Sequence, residues 1–139
     1  MINQIENIIC LGEGIDPIEI HCKSRKNGLK ETRQIIMYFA KRLYPAKTWG
    51  EIADYFALDH ASAMHASKTI QNIIDTNKEF RERMNKHNQR LKVVRIDRIV
   101  SEAVTNIKPL EFEILRLESK ISELKEQVKL IKYEISEIL

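Results

Sequence analysis

The chain is short of the residues that most compact chemistry depends on. Four glycines occur in 139 residues, none in a G-x-x-x-x-G-K-[ST] pattern, so the loop that cradles nucleotide phosphates is missing from it. Two cysteines, Cys10 and Cys22, lie in apolar-flanked segments without metal-type spacing. They give no disulfide framework, and two buried thiols in a reduced, cytoplasmic protein are the simpler expectation. No apolar run approaches the ~20 residues of a membrane span, and no secretory leader opens the sequence. His60 and His65 stand about 140° apart around a helix, whereas helical metal ligands pair at i, i+4, so no metal site is expected. No serine or cysteine sits in a nucleophile motif, and the acids fall on helix faces. A non-enzyme with no cofactor follows. No segment alternates with period two, so the fold class expected is all-α.

The charge is mild in sum and uneven in place. Net charge is +3, yet Lys23 to Arg33 holds five basic residues against one acid, and Lys78 to Arg98 holds eight against three. From Ile107 onward acids and bases alternate. Base clustered in the first part, with a balanced tail, points to a polyanionic partner for the first part alone.

Helical periods and stop signals divide that first part. Ile2, Ile5, Ile8 and Ile9 predict a helix halted at Gly12-Glu13-Gly14. Asp16-Pro17 opens a short one, with Ile15, Ile18 and Cys22 as its inward face. A basic loop follows from Lys23 to Gly28. A helix is then expected over 29–43, buried through Ile35, Ile36, Phe39, Ala40 and Leu43. Thr48 with Glu51 reads as a capping box and Ala57-Leu58 as a tight turn. Asp59 is the N-cap of a helix reaching Thr76, with Ala63, Met64, Ala66 and Ile70 as its apolar stripe. One more helix begins at Asn77 and packs through Phe80, Met84 and Leu91.

Two stretches carry a family resemblance. One is Ser24-Arg25-Lys26 with Glu31-Thr32-Arg33-Gln34-Ile35-Ile36-Met37-Tyr38; the other is Asp59-His60-Ala61-Ser62-Ala63-Met64-His65-Ala66-Ser67-Lys68-Thr69-Ile70. In this order and spacing they resemble the C-terminal helix-turn-helix domain of the bacterial replication initiator DnaA, over roughly Gly14 to Leu91. The resemblance implies double-stranded DNA as partner. By it, Arg25 reaches a minor groove and Lys26 a phosphate. Arg33 and Gln34 work in the major groove, and Asp59, His60, Ala61, Ser62 and His65 form the contact face of the recognition helix, with Lys68 on phosphate. The chain also departs from the family's pattern. Ala61-Ser62 replaces a Thr-Thr pair, Ala57-Leu58 replaces Gly-Gly-Arg, and the loop Tyr44-Pro45-Ala46-Lys47 is one residue longer.

From Val93 the pattern becomes a heptad. Positions a are Val93, Val100, Ile107, Ile114, Ile121, Val128 and Ile135; positions d are Ile96, Ala103, Leu110, Leu117, Leu124, Ile131 and Ile138. An apolar seam of this length predicts a coiled coil. Residues 107, 110, 114, 117, 121, 124, 128, 131, 135 and 138 are therefore the expected oligomerisation contacts, most simply of a homodimer, with a hairpin folded back on 93–104 as the alternative. Pro109 is expected to break the helix near 105–108, because a mid-helix proline costs about 3 kcal/mol. The domains expected are thus a reading head over 1–91 and an oligomerisation segment over 92–139. Together they predict an ATPase-free DNA-binding regulator of replication or transcription that competes with or recruits an initiator, in a bacterium or its phage or mobile element. The alternative is a protein-interaction adaptor on the same scaffold.

Overall fold

The structure, a computed structural model, describes residues 1–23, 26 and 28–139. Among them are seven helices and no strand: α1 (Ile2–Glu13), α2 (Pro17–Ile20), α3 (Leu29–Leu43), α4 (Trp49–Asp54), α5 (His60–Thr76), α6 (Lys78–Arg90) and α7 (Lys92–Ile138). The expected all-α class is what is found.

The head is built around α3. Its Ile35, Ile36, Met37, Tyr38, Phe39, Ala40 and Leu43 are all buried, more than one apolar stripe allows, because α1, α2, α4 and α5 all pack against it. Ile2, Ile5, Ile9 and Cys10 of α1 supply one wall. The helix ends where Gly14 takes a φ of 68°, donating its N–H to the Cys10 and Leu11 carbonyls, a left-handed cap that only glycine enters without strain. Burial, with the Glu6, Asp16 and Glu13 charges behind it, pushes the Cys10 thiol up to about 11, which leaves it inert.

Two expectations about α2 fail for one reason. The helix is a single turn, so a 3.6-residue period has no length over which to act. Ile20 is its buried residue, while Ile18 and Cys22 are exposed. The chain leaves the turn at His21, whose Nε2 donates to the buried Glu6 carboxylate at 2.7 Å. The same ring stacks on Phe56, with centroids 5.6 Å apart.

α6 closes the head against α1 and α5. Arg83 Nε and Nη2 donate to Glu13 of α1 at 2.8 and 2.6 Å, and Arg83 Nη1 reaches Glu31 of α3 at 2.9 Å. Buried His87 adds Nε2 to Glu13 at 2.5 Å. Two carboxylates and one guanidinium thus tie three helices together. Burial alone would raise the Glu13 pKa. Hydrogen bonds from His87 and Arg83, with the Arg83 charge, outweigh that and hold it at about 2.

The tail differs from expectation in two places. The compact head does not end at Leu91 but runs to Asp97, with Arg98–Leu139 as a second unit. Val94, in the first turn of α7, is buried with Leu91, and Arg95 donates to Asn88 at 2.6 Å. The compact unit therefore takes in six residues beyond Leu91. Nor does Pro109 break the rod: α7 is one helix of 47 residues with the proline inside it, which leaves no hairpin. The missing N–H deprives only the Thr105 carbonyl of its partner, and every residue from Ser101 on is exposed, so water reaches that oxygen.

Candidate nucleic-acid interface

The helix-turn-helix is α4, a turn and α5. The capping box is present: Thr48 Oγ1 accepts from the Glu51 N–H at 3.1 Å, and Glu51 Oε2 accepts from the Thr48 N–H at 2.9 Å. At the other end, Leu58 N–H donates to the Ala53 carbonyl and Ala57 N–H to that of Asp54, at 3.0 and 3.1 Å. That pair of bonds is a Schellman closure. Its left-handed position is filled by Ala57, with φ 54°, where a Cβ is disfavoured. The tight turn expected at Ala57-Leu58 therefore exists, at a cost in strain.

Asp59 then caps α5, accepting from the Ser62 N–H at 2.7 Å. Hydrogen bonds from the Ser62 hydroxyl and N–H, with the nearby His60, hold its carboxyl below the usual aspartate range. The inward face of α5 is Ala63, Ala66 and Ile70. Met64, expected in that stripe, is 39% exposed. It lies about 100° from Ala63 on the wheel, at the rim of the face. His60, Ala61, Ser62, His65 and Lys68 are all exposed, and Ala61, His65 and Lys68 fall within about 60° of one another around the axis.

Part of the predicted set converges. A cleft of about 700 Å³ is lined by Lys30, Arg33, Gln34 and Met37 of α3, by Leu58 of the turn, and by Ser62, His65 and Ala66 of α5. Four predicted residues, Arg33, Gln34, Ser62 and His65, share it. Asp59, His60, Ala61 and Lys68 stand on α5 outside its lining. Lys26 is exposed in the loop before α3. Arg25 lies outside the described residues.

Lys30 was not singled out from the sequence, although its spacing to Gln34 and Met37 marks the same helix face. Another feature was out of reach of sequence alone. Arg33 Nη1 donates to the carbonyls of Ile20 and Cys22, at 3.0 and 3.2 Å, so its guanidinium holds the chain where the basic loop begins.

Sequence comparison agrees with this geometry. Residues 2–70 match the family described as the bacterial DnaA protein helix-turn-helix, a span that takes in α1 and reaches the buried Ile70. The chromosomal replication initiator protein DnaA of Campylobacter fetus is 38% identical over 84 residues, 58% of this chain and 19% of that protein. That of Bacteroides fragilis is 35% identical over 81 residues, 58% and 17%. That of Flavobacterium psychrophilum is 30% identical over 90 residues, 65% and 19%. The chain thus spans less than a fifth of each relative. Through its head, it belongs to the bacterial DnaA helix-turn-helix family.

Proposed function

We propose that the head binds double-stranded DNA sequence-specifically at sites like the DnaA box. On this reading it regulates replication or transcription by occupancy, without hydrolysing nucleotide, and is held as an oligomer by its tail. The observation that carries this is the cleft. It joins residues of α3 and α5 that the family's pattern assigns to DNA, beside a recognition helix whose outward face is polar, basic and exposed. The N-terminus of α5 enters the major groove, where His60, Ser62 and His65 offer donors and acceptors to base edges. Lys26, Lys30 and Lys68 neutralise phosphates. Gln34 faces the same groove from α3. Arg33 acts through the loop it anchors, setting the path by which Arg25 reaches the minor groove.

The reading divides the chain near Asp97, with the head before it and the oligomerisation segment after it. A bacterial cytoplasm, or a mobile element within one, is the setting in which such boxes occur. Competition with an initiator for them is the simplest regulatory outcome.

Fluorescence anisotropy tests this. A duplex with one box and a shuffled duplex are titrated over a salt series, with Ser62→Ala/His65→Ala beside the native protein. Tight, salt-sensitive binding that prefers the box and weakens in the variant is expected. Equal binding to both duplexes would remove the specificity. No binding at low salt would remove DNA as the partner and favour the adaptor reading, with Met37, Leu58 and Ala66 as a docking floor for protein.

A further inference from the structure

The seam of α7 is uncovered along its whole length. From Ile107 to Ile138 its ten a and d side chains are 46–84% exposed. A continuous apolar stripe of that size marks an interaction surface. β-branched residues at a with leucine at three of the five d sites suit two strands in parallel coils, so the seam alone does not favour the antiparallel direction and the flanking charges must decide it. We infer that the occupant is a second copy of this chain lying antiparallel, with Ile121 against Leu124 of the other copy and Ile107 against Ile138. This deepens the oligomer reading above and rests on it.

The flanking charges choose the direction. Beside the seam run Glu113, Lys120, Gln127 and Glu134 on one side and Glu111, Glu118, Lys125 and Lys132 on the other. A parallel pair sets Glu113 against Glu118 and Lys120 against Lys125, like charges at every charged pair, each twice by symmetry. The antiparallel pair sets Glu118 against Lys125 and Glu111 against Lys132, again each twice, and Lys120 against neutral Gln127. Its like-charge contact, also made twice, is Glu113 with Glu134. Within its own helix Glu113 already accepts two hydrogen bonds from Arg116, at 3.2 and 2.5 Å, and that cation offsets the repulsion.

The register has a geometric consequence. When Ile107 lies level with Ile138 of the second copy, the two Ile107 residues are about 46 Å apart at 1.5 Å per residue. One turn of DNA is about 34 Å. The chain therefore enters the coil from opposite ends, at points further apart than one turn of DNA, whereas a parallel coil would bring both entry points together.

The full chain carrying Cys22→Ser, which removes the exposed thiol, is the background for the test. Leu110→Cys, Ile135→Cys and the double variant are made in it, oxidised mildly and run without reductant, with sedimentation of each before oxidation. Leu110 faces Ile135 of the second copy in the inferred register. The double variant is expected to cross-link at least tenfold more than either single variant. Single variants that cross-link as well as the double would make the coil parallel and overturn the inference. Dimers by sedimentation that none of the three cross-links would overturn the register. A chain that sediments as a monomer would instead end the oligomer reading itself.

Discussion

Removing the Arg33 side chain tests whether that residue reads DNA or holds the loop that does. Its Nη1 bridges two carbonyls at the root of the basic loop, Ile20 at 3.0 Å and Cys22 at 3.2 Å. Hydrogen bonds from a charged donor contribute about 1.5–3 kcal/mol net when buried. Arg33 is only half-buried and both bonds share one nitrogen, so about 1.5 kcal/mol for the pair is the reasonable figure. If the loop must be held to engage DNA, losing that restraint lowers the competent fraction, and so the affinity, about tenfold. A direct base contact would cost about the same. Affinity of the single variant therefore decides nothing, and a double-mutant cycle is needed. Kd is measured by anisotropy on one box duplex for the native chain, Arg33→Ala, Arg25→Ala and the double variant. Anchoring predicts that, once Arg25 is gone, removing Arg33 costs less than about threefold, a coupling of roughly 1 kcal/mol between the two sites. Losses that add to about a hundredfold, within the ~0.5 kcal/mol expected of independent sites, would refute the anchoring role and return Arg33 to base reading.

Three further perturbations follow from the fold. Ala57→Gly relieves the left-handed residue in the helix-turn-helix turn and should stabilise the head by about 1 kcal/mol in urea; a loss would show that the Cβ packs there. Glu13, at about 2 against an ordinary 4.5, contributes stability that is fully present above pH 4.5 and is lost as pH falls towards 2, on the order of 3 kcal/mol. Glu13→Gln should therefore lower the urea midpoint at pH 7, with the gap to the native chain narrowing below pH 4.5; a constant gap would contradict the linkage. Pro109→Ala restores the N–H that Thr105 lacks and removes a helix penalty of about 3 kcal/mol. It should raise the helix melting temperature by circular dichroism without altering the association state, since residue 109 lies off the seam, and a changed state would mean that the register is wrong.

What could be read from the sequence was whatever a local pattern determines. The capping box at Thr48, the N-caps Asp16 and Asp59, and the bounds of α3 are each fixed by residues within one turn. The errors arose where a distant partner decides. Ile18 and Cys22 face water because α2 is a single turn, and the chain beyond it is fixed by His21, held by Glu6 and Phe56 from other elements. Val94 belongs to the head although it stands beside Val93, where the tail's heptad begins. Pro109 was given its ordinary cost, but it lies off the seam on an exposed face, where water takes the place of the one lost bond. In the cleft, the family's pattern supplied Arg33, Gln34, Ser62 and His65, whereas Arg33's bonds to two backbone carbonyls leave no mark in side-chain identity.

On the reading proposed above, in which the tail joins two heads, the departures in the head and the seam on the tail account for each other. Ala61 offers a methyl where a hydroxyl would add a polar contact, and Ala57-Leu58 supplies no arginine beside Asp59, so one head has fewer groups with which to hold a site. Each missing base or phosphate contact costs about 1–3 kcal/mol, enough to make a single head a weak binder at moderate salt. Joining two heads through one coil makes the second encounter intramolecular, and avidity then exceeds either affinity by about 10²–10⁴ without a new contact. That gain is of the size of one or two lost contacts. It also acts only where two sites lie at the spacing the coil can bridge. In such a protein, selectivity passes from the individual box to the distance between boxes, and the residues that set this distance are those of α7.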